Sequence, residues 1–261
     1  MGDLVNDVEF SASARAPDPN RLLLGYEHAA LTLNYLRSLA SPTEDFFTCH
    51  EGLHLEYEAA QINVDARSGN VYDFTTHMPW IGDRTRRADE AHVELFRGVA
   101  NPVGVKVGPT ADPDDLLATL IRLNPTNESG KLVVITRMGA KDAHRLVTRI
   151  ASAIAAAERR VSFLVDPMHG NTRITNAGSK SRDLAEMCAE IVATAAAHRE
   201  IGTTLSGLHV ELAGSDVTEC VGAGVAEADL ARNYETLCDP RLNLAQAEEM
   251  AHAFGRALRQ A

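Results

Sequence analysis

Short apolar runs alternate with longer stretches of helical periodicity along most of the chain. VGVKV (103–107), LVVIT (132–136), VSFLV (161–165) and GLHVEL (207–212) are rich in β-branched residues, and each leads into a polar or glycine-bearing loop. They read as buried strands. Between them the periodicity predicts helices: 20–39 behind a capping Asn20, DPDDLLATLIRL behind Asp112-Pro113, the alanine-rich 141–160, 181–200, a short one at 227–234 and a closing one at 244–261. Upstream, FFTCH (46–50) reads as a short strand followed by a brief helical EYEAA. Residues 65–80 read as a loop with a short strand near its end, and 89–100 as a helix closed by Asn101-Pro102.

Strand and helix thus alternate at the spacing of β/α units, and the strands are apolar nearly throughout. The fold class expected is α/β with a parallel sheet, either a (β/α) barrel or a doubly wound sheet, which periodicity does not separate. No linker divides the chain, so residues 1–261 read as a single domain: an N-terminal helical segment (1–45), then β/α units (46–261). A net charge of -11 offers no basic face to nucleic acid or an anionic membrane, and no apolar run approaches the length of a membrane span. The four cysteines, Cys49, Cys188, Cys220 and Cys238, are scattered without a CxxC, and no apolar leader opens the chain. A reduced, cytoplasmic protein is the expectation.

Chemistry gathers at the strand ends, where parallel α/β folds place it. VSFLV runs into Asp166 and His169 in DPMHGNT; His209 and Glu211 share one face of GLHVEL; Asp239 lies in CDPRLN. A histidine with carboxylates suits a divalent ion such as Mn, Co, Fe or Zn. A second set is cationic: Arg84, Lys106 and Arg137. Lys106 interrupts an apolar strand, where a lysine is costly unless it meets an anion, and two cations at neighbouring strand ends suit a phosphate or carboxylate. The alternative for each is pairing with one of the many Asp and Glu residues. Trp80, the only tryptophan, stands beside Arg84 as a candidate pocket wall. No GxGxxG, Walker loop, GxSxG or HExxH is present.

WIGDRTR, ANPVGVKVGP, LVVITRMGA, DPMHGNT, GLHVELAG with VTEC, and CDPRLN occur in this order, with GDLVNDV and HEGLHLEYE upstream. Together they resemble the class II 3-deoxy-D-arabino-heptulosonate 7-phosphate (DAHP) synthases of the shikimate pathway. The resemblance implies a partial or rearranged (β/α)8 barrel, usually oligomeric, that uses a divalent metal such as Mn or Co to condense phosphoenolpyruvate with an aldose phosphate. It implies His169, Glu211 and Asp239 as metal ligands. Arg84, Lys106 and Arg137 would hold phosphoenolpyruvate, with Trp80, Asp83 and Glu51 lining the same region and Asn6 near the aldehyde phosphate. Lys106, Glu51 and Asp83 are the candidates for the chemical steps. Family members are longer. Their first strands, the cysteine that is the fourth ligand and an Arg/Lys segment resembling GQxAKPRS have no counterpart here, which leaves roughly the last five barrel strands. Cys49 is a candidate replacement ligand. The open sheet would have to close differently, gain a strand from residues 1–19, or pair with another subunit. Alternative readings are an altered acceptor in specialised metabolism, a different reaction on an enolpyruvate or 2-keto acid, and a non-catalytic binding homologue.

Overall fold

The apolar runs assemble into a six-stranded parallel sheet with helices packed against its outer face. The structure is a computed structural model that describes residues 4–9, 11–39 and 46–259. Its elements are α1 (Asn20–Leu39), β1 (Cys49–Glu51), α2 (Leu55–Gln61), β2 (Ile62–Val64), β3 (Val71–Asp73), β4 (Met78–Ile81), α3 (Ala91–Phe96), β5 (Val103–Val107), α4 (Pro113–Leu123), β6 (Leu132–Thr136), α5 (Ala143–Ala156), β7 (Ser162–Val165), β8 (Arg173–Ile174), β9 (Lys180–Ser181), α6 (Leu184–Glu200), β10 (Leu205–Leu208) and α7 (Leu244–Arg259).

The sheet order is β1-β4-β5-β6-β7-β10, the order of the sequence itself, with every pair parallel. A doubly wound sheet reverses direction at a switch point; this one never does, so the winding is that of a barrel. Among the described residues it has six strands, the six runs read from the sequence where the resemblance left roughly five; that is two short of a closed (β/α)8 barrel, and β1 and β10 are not paired to each other. The described part of residues 4–19 forms turns and adds no strand.

Alternation along each strand divides two faces. Val103, Val105 and Val107 of β5, Leu132 and Val134 of β6, and Phe163 and Val165 of β7 join the core beneath the helices. Lys106, Ile135, Leu164 and the residue after β7, Asp166, therefore fall on the opposite, concave face. Helices α4 to α7 pack side by side outside. In α4, Leu116, Leu120 and Leu123 are buried at helical spacing, and Asp112 caps its start by accepting from the backbone N–H groups of Asp114 (2.9 Å) and Asp115 (3.3 Å). By contrast α1 buries only Leu33 and leaves Leu23, Leu24, Leu31, Tyr35 and Leu39 exposed.

Residues 65–80 are more regular than their sequence suggests. They complete the antiparallel hairpin of β2 and β3, whose turn is fixed by Asp65 and by Gly69 at φ +72°, and then contribute most of β4. Strand β4 is the short strand expected near the end of this stretch, and it holds Pro79, a residue that central strands usually exclude. Met78 N–H and Trp80 C=O both bond toward β1, so the missing N–H faces β5, whose register with β4 begins only at Trp80. Helix α3 is shorter than the 89–100 expected, and β10 ends at Leu208, although His209 N–H still bonds Val165 O at 2.8 Å.

One core contact makes a pH prediction. His198 of α6 is buried, its Nδ1 2.8 Å from Thr203 Oγ1 and its ring 4.7 Å from Phe163. Burial depresses its pKa to about 4. The unfolded chain takes up this proton first, so the contribution of His198 to stability is present above pH ~6.5 and is lost as pH falls toward 4. The loss amounts to up to about 3 kcal/mol. Thermal melts from pH 7 to 4.5 should therefore fall less steeply for His198→Gln than for the wild type; parallel curves would rule this histidine out as a source of acid sensitivity.

Candidate active site

Three loops beyond the C-terminal ends of the strands bring the predicted triad together. His169 begins a 3-10 turn after β7, Glu211 follows β10, and Asp239 lies in the loop before α7. The donor atoms of His169, Glu211 and Asp239 all lie within 4.8 Å of one another. His169 Nε2 is 3.4 Å from Glu211 Oε1 and 3.9 Å from Asp239 Oδ2.

The turn itself is set by Asp166. Its Oδ1 accepts the backbone N–H groups of Met168 (3.0 Å) and His169 (3.1 Å), and its Oδ2 lies 2.7 Å from His169 Nδ1. The same Oδ2 is 2.8 Å from Lys106 Nζ, which reaches across the concave face and sits 4.4 Å from the centre of the Trp80 ring. Asp166 is fully buried and Lys106 nearly so. Burial would raise the Asp166 pKa, but His169 and Lys106 outweigh it and hold the carboxyl far below the usual carboxylate range. Burial likewise works against charge on His169, and Asp166 and Glu211 overcome it, lifting its pKa to about 9. His209, whose ring meets Trp80 edge-on at 5.6 Å, is pushed down to about 4 by burial and by Lys106.

This donor set fits a divalent ion. One nitrogen and two carboxylate oxygens are the ligands of a borderline cation, and metal–ligand bonds of about 2 Å put donors on the order of 3–4 Å apart. Asp166 orients the imidazole through Nδ1 and leaves Nε2 for the ion, as carboxylates behind metal-ligating histidines do.

Beside the triad lies the cationic set. Arg137, just past β6, has NH1 3.5 Å from Asp83 Oδ2 and NH2 3.4 Å from His169 O, while its buried Nε has no partner. Asp83 also accepts from Gly108 N (2.8 Å) and pairs with Arg86 (3.1 Å). A Cβ at Gly108 would stand 2.2 Å from Asp83 Oδ2 and 3.2 Å from an Arg137 nitrogen. Gly108→Ala should accordingly lower stability by about 1–3 kcal/mol in chemical denaturation, and an unchanged midpoint would show that Asp83 yields freely. Glu51 lies on the neighbouring strand with its carboxylate against Gly82.

The loops carrying Arg137 and His169 are stitched together by Glu190 of α6, which is fully buried. Its oxygens accept from Met138 N and Asn171 Nδ2, both at 2.7 Å, and Gly170 packs so closely on Gly139 that a Cβ there would come within 2.4 Å of a backbone nitrogen. Burial raises the Glu190 pKa to about 7.

Three residues named from the sequence lie outside this arrangement. Cys49 is at the start of β1, the opposite end of a parallel strand from the triad, where it lines a 620 Å³ cavity with Leu33, Phe47 and Met78. Arg84 is exposed and makes no ion pair among the described residues, whereas Arg86 is buried. Asn6 donates to Arg15 O at 3.2 Å within the N-terminal turns. Sequence reasoning gave no role to Asp166 beyond its place at a strand end, and it missed Arg86, Lys180, Arg182 and Glu190. The first was visible in DPMH as a carboxylate three residues before a histidine. The last four look like surface charges on helices and loops.

A profile of the Class-II DAHP synthetase family matches residues 1–44 and 40–255. Phospho-2-dehydro-3-deoxyheptonate aldolase of Streptomyces coelicolor is 36% identical over 302 residues, covering 96% of this chain and 67% of that protein. The enzyme of the same name from Neurospora crassa is 36% identical over 328 residues (99% and 68%), and the aldolase AroG of Mycolicibacterium smegmatis 33% over 315 residues (99% and 68%). All three alignments are longer than the 261 residues of the chain, so these relatives carry residues inside the matched span that this chain lacks. The profile breaks at 40–44, the junction where the sequence passes from the N-terminal helix to FFTCHEG.

Proposed function

The chain belongs to the class-II DAHP synthetase family, and from that premise we propose that it catalyses a metal-dependent aldol-type condensation of phosphoenolpyruvate with an aldose phosphate or a related aldehyde. The observation that carries this reading is the His169–Glu211–Asp239 triad within 4.8 Å, tied through Asp166 to a buried lysine. A bound divalent ion, Mn or Co, would supply Lewis-acid polarisation of the aldehyde carbonyl.

The remaining work falls to side chains of this chain. Lys106 and Arg137, with Arg84 as the third cation that the family resemblance names, would hold the phosphate and carboxylate of phosphoenolpyruvate and keep its C3 directed at the carbonyl. Trp80 walls that pocket. Water then adds at C2 and inorganic phosphate leaves, with Glu51 and Asp83 as the carboxylates able to move the protons. The family resemblance would put Asn6 near the phosphate of the acceptor, which requires the N-terminal turns that hold it to face the site.

The test is phosphate release from phosphoenolpyruvate with Mn or Co, using erythrose 4-phosphate and then a panel of aldehydes. Release that depends on erythrose 4-phosphate supports the family reaction, and release with another aldehyde alone assigns a changed acceptor. No release and no bound metal would overturn the reading and leave a non-catalytic binding protein.

A second copy of the chain is the proposed partner for the open side of the sheet. The two sheet edges that no strand pairs among the described residues, and the exposed leucines of α1, support a homo-oligomer; a well-folded monomer in sedimentation velocity would exclude it. Four free cysteines accord with a cytoplasmic setting, and no helix among the described residues is long and apolar enough to cross a membrane.

A further inference from the structure

Among the described residues Arg182 is the largest fully buried side chain, with no exposed surface. It follows β9 on the way into α6, and nothing about that position demands a cation. Burying a guanidinium costs several kcal/mol unless its surroundings repay the lost water, so its partners indicate what it is for.

Those partners fall one on each segment of the triad. Nε donates to Thr172 Oγ1 at 2.9 Å, in the loop that begins with His169. NH1 donates to Glu211 Oε2 and to the carbonyl of Pro240, the residue after Asp239. Among the described residues, every side-chain hydrogen bond of Arg182 thus ends on a segment that carries one of the three donors, and none reaches the helical layer. A planar, rigid fork can span three acceptors in fixed directions, which a lysine cannot.

The same contact divides the labour of Glu211. Oε1 faces His169 Nε2 at 3.4 Å, while Oε2 is held by Arg182. Asp239 is arranged alike, with Oδ2 toward His169 and Oδ1 held by Lys180 at 2.9 Å. Each carboxylate turns one oxygen to the centre and has the other tied to a cation, Lys180 at the surface and Arg182 in the interior.

We infer that Arg182 is the positioning residue of the metal centre: it locks the three ligand segments into one constellation and makes Glu211 a single-oxygen ligand. The inference rests on the reading of the triad as a divalent-ion site. It adds a residue that touches neither ion nor substrate yet sets the affinity and geometry of the site.

The experiment uses the full chain, stripped of metal by chelation, as wild type, Arg182→Met, Arg182→Lys and Thr172→Val. Mn binding is measured by calorimetry, and the visible spectrum of the Co-loaded protein reports ligand geometry. Folding is checked by circular dichroism. Arg182→Met should weaken Mn binding about 10–100-fold, the range for residues behind metal ligands. Arg182→Lys should recover only part of that loss, and Thr172→Val, which removes one of the bonds, should weaken binding by about 3-fold or more and shift the Co spectrum. A folded Arg182→Lys or Arg182→Met with wild-type affinity and spectrum overturns the inference. If Arg182→Met does not fold, Thr172→Val with both readouts unchanged overturns it equally. Absence of Mn and Co binding in the wild type is a different failure, that of the metal reading itself.

Discussion

Lys106→Met is expected to lower phosphoenolpyruvate turnover with any acceptor aldehyde by about 10²–10³-fold, the loss found when one preorganised charge or donor is taken from a reacting centre. The substitution nearly preserves side-chain volume, so packing against Trp80 survives and the effect is electrostatic. Without Lys106, buried Asp166 keeps only His169 as a cationic neighbour, and the pocket loses the charge best placed for an anionic substrate. Phosphate release under saturating metal measures the loss. Activity within about 3-fold of wild type would mean that Lys106 serves only as the counter-ion of Asp166.

Asp166→Asn should produce the second large effect, on the metal rather than the substrate. The new amide can still accept the N–H groups of Met168 and His169 through its oxygen. Its NH₂ would then confront two donors, Lys106 Nζ and His169 Nδ1–H. A buried lysine loses its anion and the imidazole loses the acceptor that fixes its orientation. Mn affinity is expected to fall about 10–100-fold, and stability by about 3–5 kcal/mol, as when one partner of a buried ion pair is removed. Calorimetric Mn titration together with urea denaturation separates the two; a variant unchanged in both would take Asp166 out of the site.

How far the sequence led depended on how local each signal was. Helix α4 was legible from Asp112-Pro113 and its leucines, and β5, β6 and β7 from short, mostly apolar runs, because those features act within a few residues. The short strand near residue 80 was legible too, as β4, whereas the β2–β3 hairpin before it was not, because its strands are three residues each and largely exposed. In the site, His169, Glu211 and Asp239 could be named as donors without their geometry. Arg182 could not be, because next to Asp183 and Ser181 it looks like any surface cation ahead of a helix. Its burial follows from three loops that meet only in the fold. The exposure of Arg84 and burial of Arg86 in one GDRTR turn show the same limit, two arginines separated by the path of a loop and not by their type.

The order of the sheet has a further consequence for how the chain folds. Each strand pairs with the next sheet strand along the sequence, so every ladder can form as soon as one more β/α unit has emerged, and no step requires joining the first strand to the last. A closed barrel must make that final, most distant contact and bear its loop-closure entropy. Here the sheet can grow unit by unit from either end, as repeat arrays do, and both growing edges remain open to pairing until they are covered.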